Sequence, residues 1–122
     1  MAFLLFLSGL AAIATGVGHS WLGERYVLGP LLASTPEPQS LRQPVQRRLL
    51  RAVWHLPSLI WAIMGIATFV LAWTNQFDWR FLIVFGAIYV ASAAGNLFAV
   101  RGPHVGQALL LTAAGLMALS FV

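Results

Sequence analysis

Apolar residues occur along this chain in four long stretches that polar residues hardly interrupt. A helix needs about 20 predominantly apolar residues to cross the hydrocarbon core of a bilayer. The stretches predict membrane-spanning helices at about 2–21, 52–73, 81–100 and 104–122. The first stretch lacks a basic start and a small-residue cleavage site, so we interpret it as a retained helix rather than a signal peptide.

The three connections between these stretches differ in length. The long one, 22–44, contains four prolines, and prolines break helices. After Pro44, arginines alternate with apolar residues at helical spacing, and we expect the second helix to begin there, at about residue 45, in the membrane interface. The connections 74–80 and 101–103 are short, which favours antiparallel neighbours.

The predicted architecture is a single all-α membrane domain, residues 1–122, folded as an up-down-up-down four-helix bundle. The composition agrees with it, because 60% of the 122 residues are hydrophobic and only 8% are charged. A soluble domain of this size cannot hide so much apolar surface. The chain has no cysteine and no lysine, which excludes disulfides, thiolate metal sites and Schiff-base cofactors.

Arginine is distributed unevenly along the chain. Five arginines lie between residues 22 and 51 and Arg101 lies in the third connection, whereas Arg80 alone lies in the second. Under the positive-inside rule, this distribution puts the first and third connections in the cytoplasm and both termini outside. We expect a multi-pass protein of the bacterial inner membrane. The net charge of +4 then reflects topology rather than nucleic-acid binding.

Each predicted helix carries small and polar residues at intervals of three and four, as helices that pack together in lipid do. The predicted inward stripes are Gly9, Ala12, Gly16, His19 and Gly23; His55, Ser58, Ala62 and Gly65; Gly86, Tyr89, Ala93 and Asn96; and His104 and Gln107, with Ala108, Leu111 and Gly115 close by. Their polar members lie toward the same predicted membrane face. His19, His55 and His104 should therefore lie at similar depth, with Glu24 at the boundary.

Two interpretations of the three histidines remain open. In the first, they form a hydrogen-bonded polar cluster that fixes the register of the helices. In the second, the three imidazoles and Glu24 bind one Zn, Cu or Fe ion, or two of them, His19 and His55, hold one haem. A quinone site, a lipid-headgroup site and a proton-linked role are further options. Glu24 and its neighbour Arg25 are expected to form an interfacial ion pair.

Three motifs surround the histidines, namely GHSWLGER at 18–25, WHLPS at 54–58 and RGPH at 101–104. They resemble the motifs of small bacterial four-helix integral membrane proteins to which no activity has been assigned. The resemblance covers most of the chain and implies the same architecture. It favours treating the three histidines as a set and implies no substrate.

Three functions are compatible with these features. The first is a non-catalytic accessory or assembly subunit of a larger respiratory or photosynthetic complex, because the chain shows packing faces and no catalytic motif. Its partners would be membrane lipid and other membrane subunits or further copies of the chain. The alternative is a metal- or haem-binding membrane protein. A second alternative is a small oligomeric transporter, although the spans lack the internal charge that usually marks a transport pathway.

Overall fold

The computed structural model describes residues 1–36, 38–76 and 78–121, and within them the chain is helical, with no strand. The four helices are α1 (Ala2–Leu32), α2 (Pro44–Thr74), α3 (Trp79–Val100) and α4 (Val105–Leu119). A short 3₁₀ turn, Gln39–Leu41, lies in the connection between α1 and α2. The prediction of an all-α fold is confirmed.

Three of these helices, α1, α2 and α3, are long and apolar enough to cross a membrane. Helix α4 has 15 residues and is therefore about 22 Å long, which is less than the roughly 30 Å of a hydrocarbon core. The helix predicted at 104–122 is shorter because it starts only after the His104 cap and ends at Leu119. The last residue of that prediction, Val122, lies outside the described residues, as do Glu37 and Phe77 in two of the predicted connections.

Helix α1 extends well past Trp21, where the sequence predicted its end. After Gly23 the helix widens into a π-helical turn, Glu24–Leu28, in which the Gly29 N–H donates to the Glu24 carbonyl five residues earlier. An α-helical turn follows and ends at Leu32. The wide turn accommodates Pro30, which has no N–H to donate, near the start of this last turn. The prediction of an irregular loop from residue 22 is therefore wrong up to Leu32.

The helix ends are satisfied by nearby polar groups. The Arg47 guanidinium donates to the Leu32 carbonyl at the end of α1, a favourable position for a cation. Helix α2 begins at Pro44 with a capping box between Gln43 and Gln46, which confirms the predicted start near residue 45. The Asp78 carboxylate caps the start of α3.

The helices pack in the order α2, α1, α4, α3, with α1 in contact with both α2 and α4. Helix α3 packs mainly on α4 and has few contacts with α2. The core runs between them and contains Leu5, Ala12, Trp61, Met64, Tyr89, Leu110 and Met117. A buried hydrogen bond from the Ser8 hydroxyl to the Ala113 carbonyl, 2.8 Å, joins α1 to α4.

Glycines allow the backbones of α1 and α2 to touch. A Cβ added at Gly9 would lie 2.7 Å from the Gly65 carbonyl oxygen, and one added at Gly16 would lie 2.5 Å from the Ser58 carbonyl oxygen. In the reverse direction, a Cβ at Gly65 would lie 2.6 Å from the Gly9 carbonyl oxygen. These distances are too short for any side chain, so the inward stripes predicted for α1 and α2 are confirmed at these glycines.

Helix α4 buries Gln107, as predicted, but the rest of its inward face differs from the prediction. Its buried residues are Gln107, Leu110, Ala113 and Met117. Ala108, Leu111 and Gly115, which the sequence predicted close to the packed face, are exposed. Both faces carry small and apolar residues, so the pattern alone did not distinguish them. Packing against α1 and α3 selects the face that carries Leu110, Ala113 and Met117.

Because α1 and α2 approach so closely, one methyl group added between them should destabilise the protein. We expect Gly16→Ala to lower the free energy of unfolding by roughly 1–3 kcal/mol, because the new Cβ forces the two backbones apart. The matched control is Gly18→Ala on the same helix, where a Cβ meets nothing within 4 Å. It should leave the free energy of unfolding unchanged or raise it by up to about 1 kcal/mol, because alanine favours a helix over glycine. Both are measured by SDS titration of the micelle-bound protein. Equal effects of the two substitutions would contradict the close contact.

Candidate functional site

Four polar side chains form a network between α1 and α2. On α1, Ser20 and Glu24 lie one turn apart, and on α2, Arg51 and His55 lie one turn apart, so each pair shares a helix face. The Ser20 Oγ lies 2.9 Å from His55 Nδ1, and His55 Nε2 lies 3.5 Å from Glu24 Oε2. Arg51 Nη2 donates to Glu24 Oε1 at 2.7 Å. The imidazole of His55 is thus held at both nitrogens by α1.

The ion pair between Arg51 and Glu24 is exposed. The side chain of Arg51 is 52% exposed and that of Glu24 is 39% exposed. The sequence predicted an ion pair between Glu24 and Arg25. Glu24 instead pairs with Arg51, since adjacent residues on a helix do not face each other. The Arg25 guanidinium instead lies 5.8 Å from the centre of the Tyr26 ring.

The His19 side chain packs among aromatic rings beside this network. Its imidazole stacks on the Trp54 indole with ring centres 5.2 Å apart and planes inclined by 11°. Trp61 meets the same imidazole edge-on at 5.4 Å. The Trp54 indole is wedged against Gly23, where any Cβ would overlap it. Its Nε1 is buried and has no hydrogen-bond partner.

His104 has a structural role at the start of α4. Its Nδ1 accepts a hydrogen bond from the Gly106 N–H at 3.1 Å, and its own N–H donates to Gln107 Oε1 at 3.1 Å. The Gln107 amide also donates to the Gly102 carbonyl at 3.2 Å. These bonds satisfy backbone groups that a helix start leaves without partners. The side chain itself is exposed.

The structure therefore brings together some of the predicted ligands and separates others. Glu24 and His55 are in contact, whereas His19 is engaged with Trp54 and His104 with Gly106. Within residues 1–36, 38–76 and 78–121, no three His, Asp or Glu side chains are placed to hold one metal ion. To converge on a metal, His19 and His104 would have to leave these contacts. The metal and haem sites stay predictions.

Two members of the network, Ser20 and Arg51, were not predicted as site residues from the sequence. Their spacing in the sequence indicated both residues, since Ser20 precedes Glu24 by four residues and Arg51 precedes His55 by four. Such pairs face the same neighbour on a helix. The two pairs are recognisable as one network only when α1 and α2 are known to be in contact.

An open groove lies beside His55 on the outer surface of α1 and α2, with a volume of about 590 Å³. Val17 and Trp21 of α1 and Leu59 of α2 form its apolar walls, together with Ala62. Its polar lining residues are Ser20, His55 and Ser58. The Ser58 Oγ is buried and has no hydrogen-bond partner. We call this feature the α1/α2 groove.

No protein-family model, curated protein or solved structure matches this chain. The interpretation of the network and the α1/α2 groove therefore rests on their own geometry, and the resemblance to small bacterial four-helix membrane proteins stays a prediction.

The capping role of His104 is open to test by substitution. We expect His104→Ala to lower the free energy of unfolding by about 1 kcal/mol, because the Gly106 N–H loses its acceptor. His104→Asn should restore most of it, since asparagine is a good cap. Thermal unfolding in detergent measures both variants. A loss with asparagine as large as with alanine would argue against capping.

The exposure of the Glu24–Arg51 pair predicts a weak interaction. In a double-mutant cycle with Glu24→Gln and Arg51→Gln, we expect a coupling energy below about 1 kcal/mol that decreases as salt is added. Unfolding free energies of the four variants give the coupling. A value of several kcal/mol that salt does not change would show that the pair is effectively buried.

Proposed function

We propose that this chain is a non-catalytic accessory or assembly subunit of a larger membrane complex and that α3 contacts the neighbouring subunit. The observation that carries this proposal is a stripe of small residues on the outer face of α3. Ala87, Ala91 and Gly95 follow one another at intervals of four and are all exposed. A Cβ at Gly95 would meet nothing within 4 Å.

The stripe lies on the side of α3 that faces away from the protein. The buried residues of α3 are Leu82, Tyr89 and Ala93, and at 100° per residue the stripe points in roughly the opposite direction. In lipid, helices associate where small residues let backbones approach closely. An outward stripe of this kind favours contact with another membrane helix.

The outer faces of α1 and α2 differ from that of α3. Their exposed positions carry mostly large side chains, such as Leu10 on α1 and Leu56, Leu59 and Ile63 on α2. Branched and long apolar side chains suit lipid chains, which need no close backbone approach. Helix α3 exposes large side chains too, such as Ile83 and Phe98. What distinguishes it from α1 and α2 is the added stripe of small residues, which supports α3 as the protein-facing side.

Helix α3 is also the least buried of the three long helices. In its most apolar 18-residue window 17% of the residues are buried, compared with 33% in α1 and in α2. Its described hydrogen bond to α2 runs from Trp61 Nε1 to the Ser92 hydroxyl at 3.2 Å. A further subunit against α3 would supply the packing that α2 does not.

The proposed location is the bacterial inner membrane, with the connection between α1 and α2 in the cytoplasm. The arginines of that connection and Arg101 support this orientation through the positive-inside rule. The exposed Glu24–Arg51 pair would then lie at the cytoplasmic interface, where charged side chains remain hydrated.

Disruption of the stripe tests the subunit proposal. We expect Ala91→Leu to release the protein from a larger assembly, because leucine prevents close backbone approach. The matched control is Ala14→Leu on the exposed face of α1, which should leave the assembly intact. Blue-native electrophoresis of native membranes in mild detergent measures the size of the species that contains the chain.

Two outcomes would contradict the proposal. One is a wild-type protein that migrates as a single chain, and the other is an Ala91→Leu variant that keeps the full size of the assembly. The purified chain, reconstituted alone, supplies a further control. If it forms a species of the same size by itself, then the assembly is a homo-oligomer, as the transporter alternative requires, and the accessory role is wrong.

A further inference from the structure

We propose that the α1/α2 groove and two arginines beyond its end bind one anionic phospholipid. The phosphate lies at Arg48 and Arg51, and one acyl chain lies in the groove. This inference goes beyond the subunit role, which concerns the outer face of α3. It relies on the proposed placement of α1 and α2 in the membrane, with the connection between them at the interface with water.

The two arginines and the groove lie along one flank of α2. Five residues of this flank follow one another at intervals of three and four, namely Arg48, Arg51, His55, Leu59 and Ala62. Residues at this spacing share a helix face, and the last three of them line the groove. A molecule that lies along this flank therefore meets positive charge at one end and apolar residues at the other.

The length of this flank matches one leaflet of a bilayer. Arg48 and Ala62 are 14 residues apart, which corresponds to about 21 Å along the helix axis. One leaflet with its headgroups is half of a bilayer, whose full thickness is roughly 40–45 Å. A phospholipid whose phosphate lies at the arginines thus has its acyl chains beside the groove.

Both arginines have donors for a phosphate. Arg48 is exposed, and within the described part of the chain its guanidinium has no ion-pair or hydrogen-bond partner. Arg51 is 52% exposed and donates to Glu24 through Nη2, a bond that uses one of the five N–H donors of a guanidinium. Arginine binds phosphate through paired N–H groups, and these charge-assisted bonds are stronger than neutral ones.

The charge around the site favours an anionic lipid over a zwitterionic one. Residues 22–51 contain five arginines against two glutamates, which leaves a net charge of +3. Basic residues at a membrane surface attract anionic lipid, each by about fivefold in affinity. A zwitterionic headgroup carries a cation beside its phosphate, and the arginines repel that cation.

The α1/α2 groove suits an acyl chain. It is open, and its walls are mainly apolar, with Val17 and Trp21 on α1 and Leu59 on α2. A chain on such a surface contacts the walls on one side and neighbouring lipid on the other. Trp21, at the end of the groove nearer the arginines, is 62% exposed, and indoles favour the interfacial layer between headgroups and chains.

Binding of single lipids to the purified full-length chain tests the proposal. In native mass spectrometry from detergent micelles, we expect one molecule of dioleoyl phosphatidylglycerol to bind, and dioleoyl phosphatidylcholine to bind more weakly. Arg48→Gln should weaken phosphatidylglycerol binding about fivefold, the effect of one arginine beside an anionic lipid. The matched control is Arg101→Gln, which removes an exposed arginine of the connection between α3 and α4 and should leave the affinity unchanged.

The variant Glu24→Gln separates lipid binding from a structural role of the arginines. We expect it to tighten phosphatidylglycerol binding, because it removes a negative charge beside the phosphate and releases Arg51 from its ion pair. If Arg51 served only to hold α1 and α2 together, loss of the pair would leave lipid binding unchanged or weaken it.

A further pair of variants tests the position of the acyl chain. Val17, a wall of the groove, is 62% exposed, and Leu10, on the same face of α1 but beyond the groove lining, is 56% exposed. We expect Val17→Trp to fill the groove and weaken phosphatidylglycerol binding, whereas Leu10→Trp should bind the lipid as the wild type does. Because both side chains point away from the core, neither change should disturb folding.

Several results would overturn the proposal. Equal affinities for the two lipids, or equal losses with Arg48→Gln and Arg101→Gln, would show unspecific attraction to the net charge. Weaker or unchanged binding in Glu24→Gln would contradict a phosphate at this position. Equal effects of Val17→Trp and Leu10→Trp, or displacement of the lipid by inorganic phosphate, would show that the groove holds no acyl chain. The test uses the isolated chain, so its failure would leave the subunit proposal standing.

Discussion

The backbone contact between α1 and α2 is the constraint on which the remaining structure depends. Gly9, Gly16 and Gly65 leave no room for a Cβ at this contact, and in lipid such close approach is a main source of helix association. With the two backbones touching, short side chains on one helix reach polar groups on the other. The hydrogen bond between Ser20 and His55 depends on this close approach.

The same contact explains why the polar network and the apolar α1/α2 groove are adjacent. At the end of the contact near the α1–α2 connection, Glu24 and Arg51 remain exposed and pair, while Trp54 packs against Gly23 and stacks on His19. The α1/α2 groove begins next to this network and shares His55 with it.

The two sides of the molecule differ in how their surfaces are built. Large side chains cover the outer faces of α1 and α2, and the outer face of α3 carries Ala87, Ala91 and Gly95. The first kind of surface suits lipid chains, and the second permits the close approach of another helix. The subunit contact proposed for α3 would therefore lie away from the contact between α1 and α2.

The sequence by itself determined the all-α class, three of the four predicted membrane-length helices and the packed glycines of α1 and α2. The length of an apolar stretch and the spacing of small residues are local properties, and they are the ones that matter for helices in lipid. Only the tertiary structure decided that α1 continues through a π turn to Leu32, that α4 buries Leu110 rather than Leu111, and that His104 caps a helix. These features depend on the rotation and neighbours of each helix. A periodic pattern limits the rotation to a few faces, and contacts with the other helices select one of them.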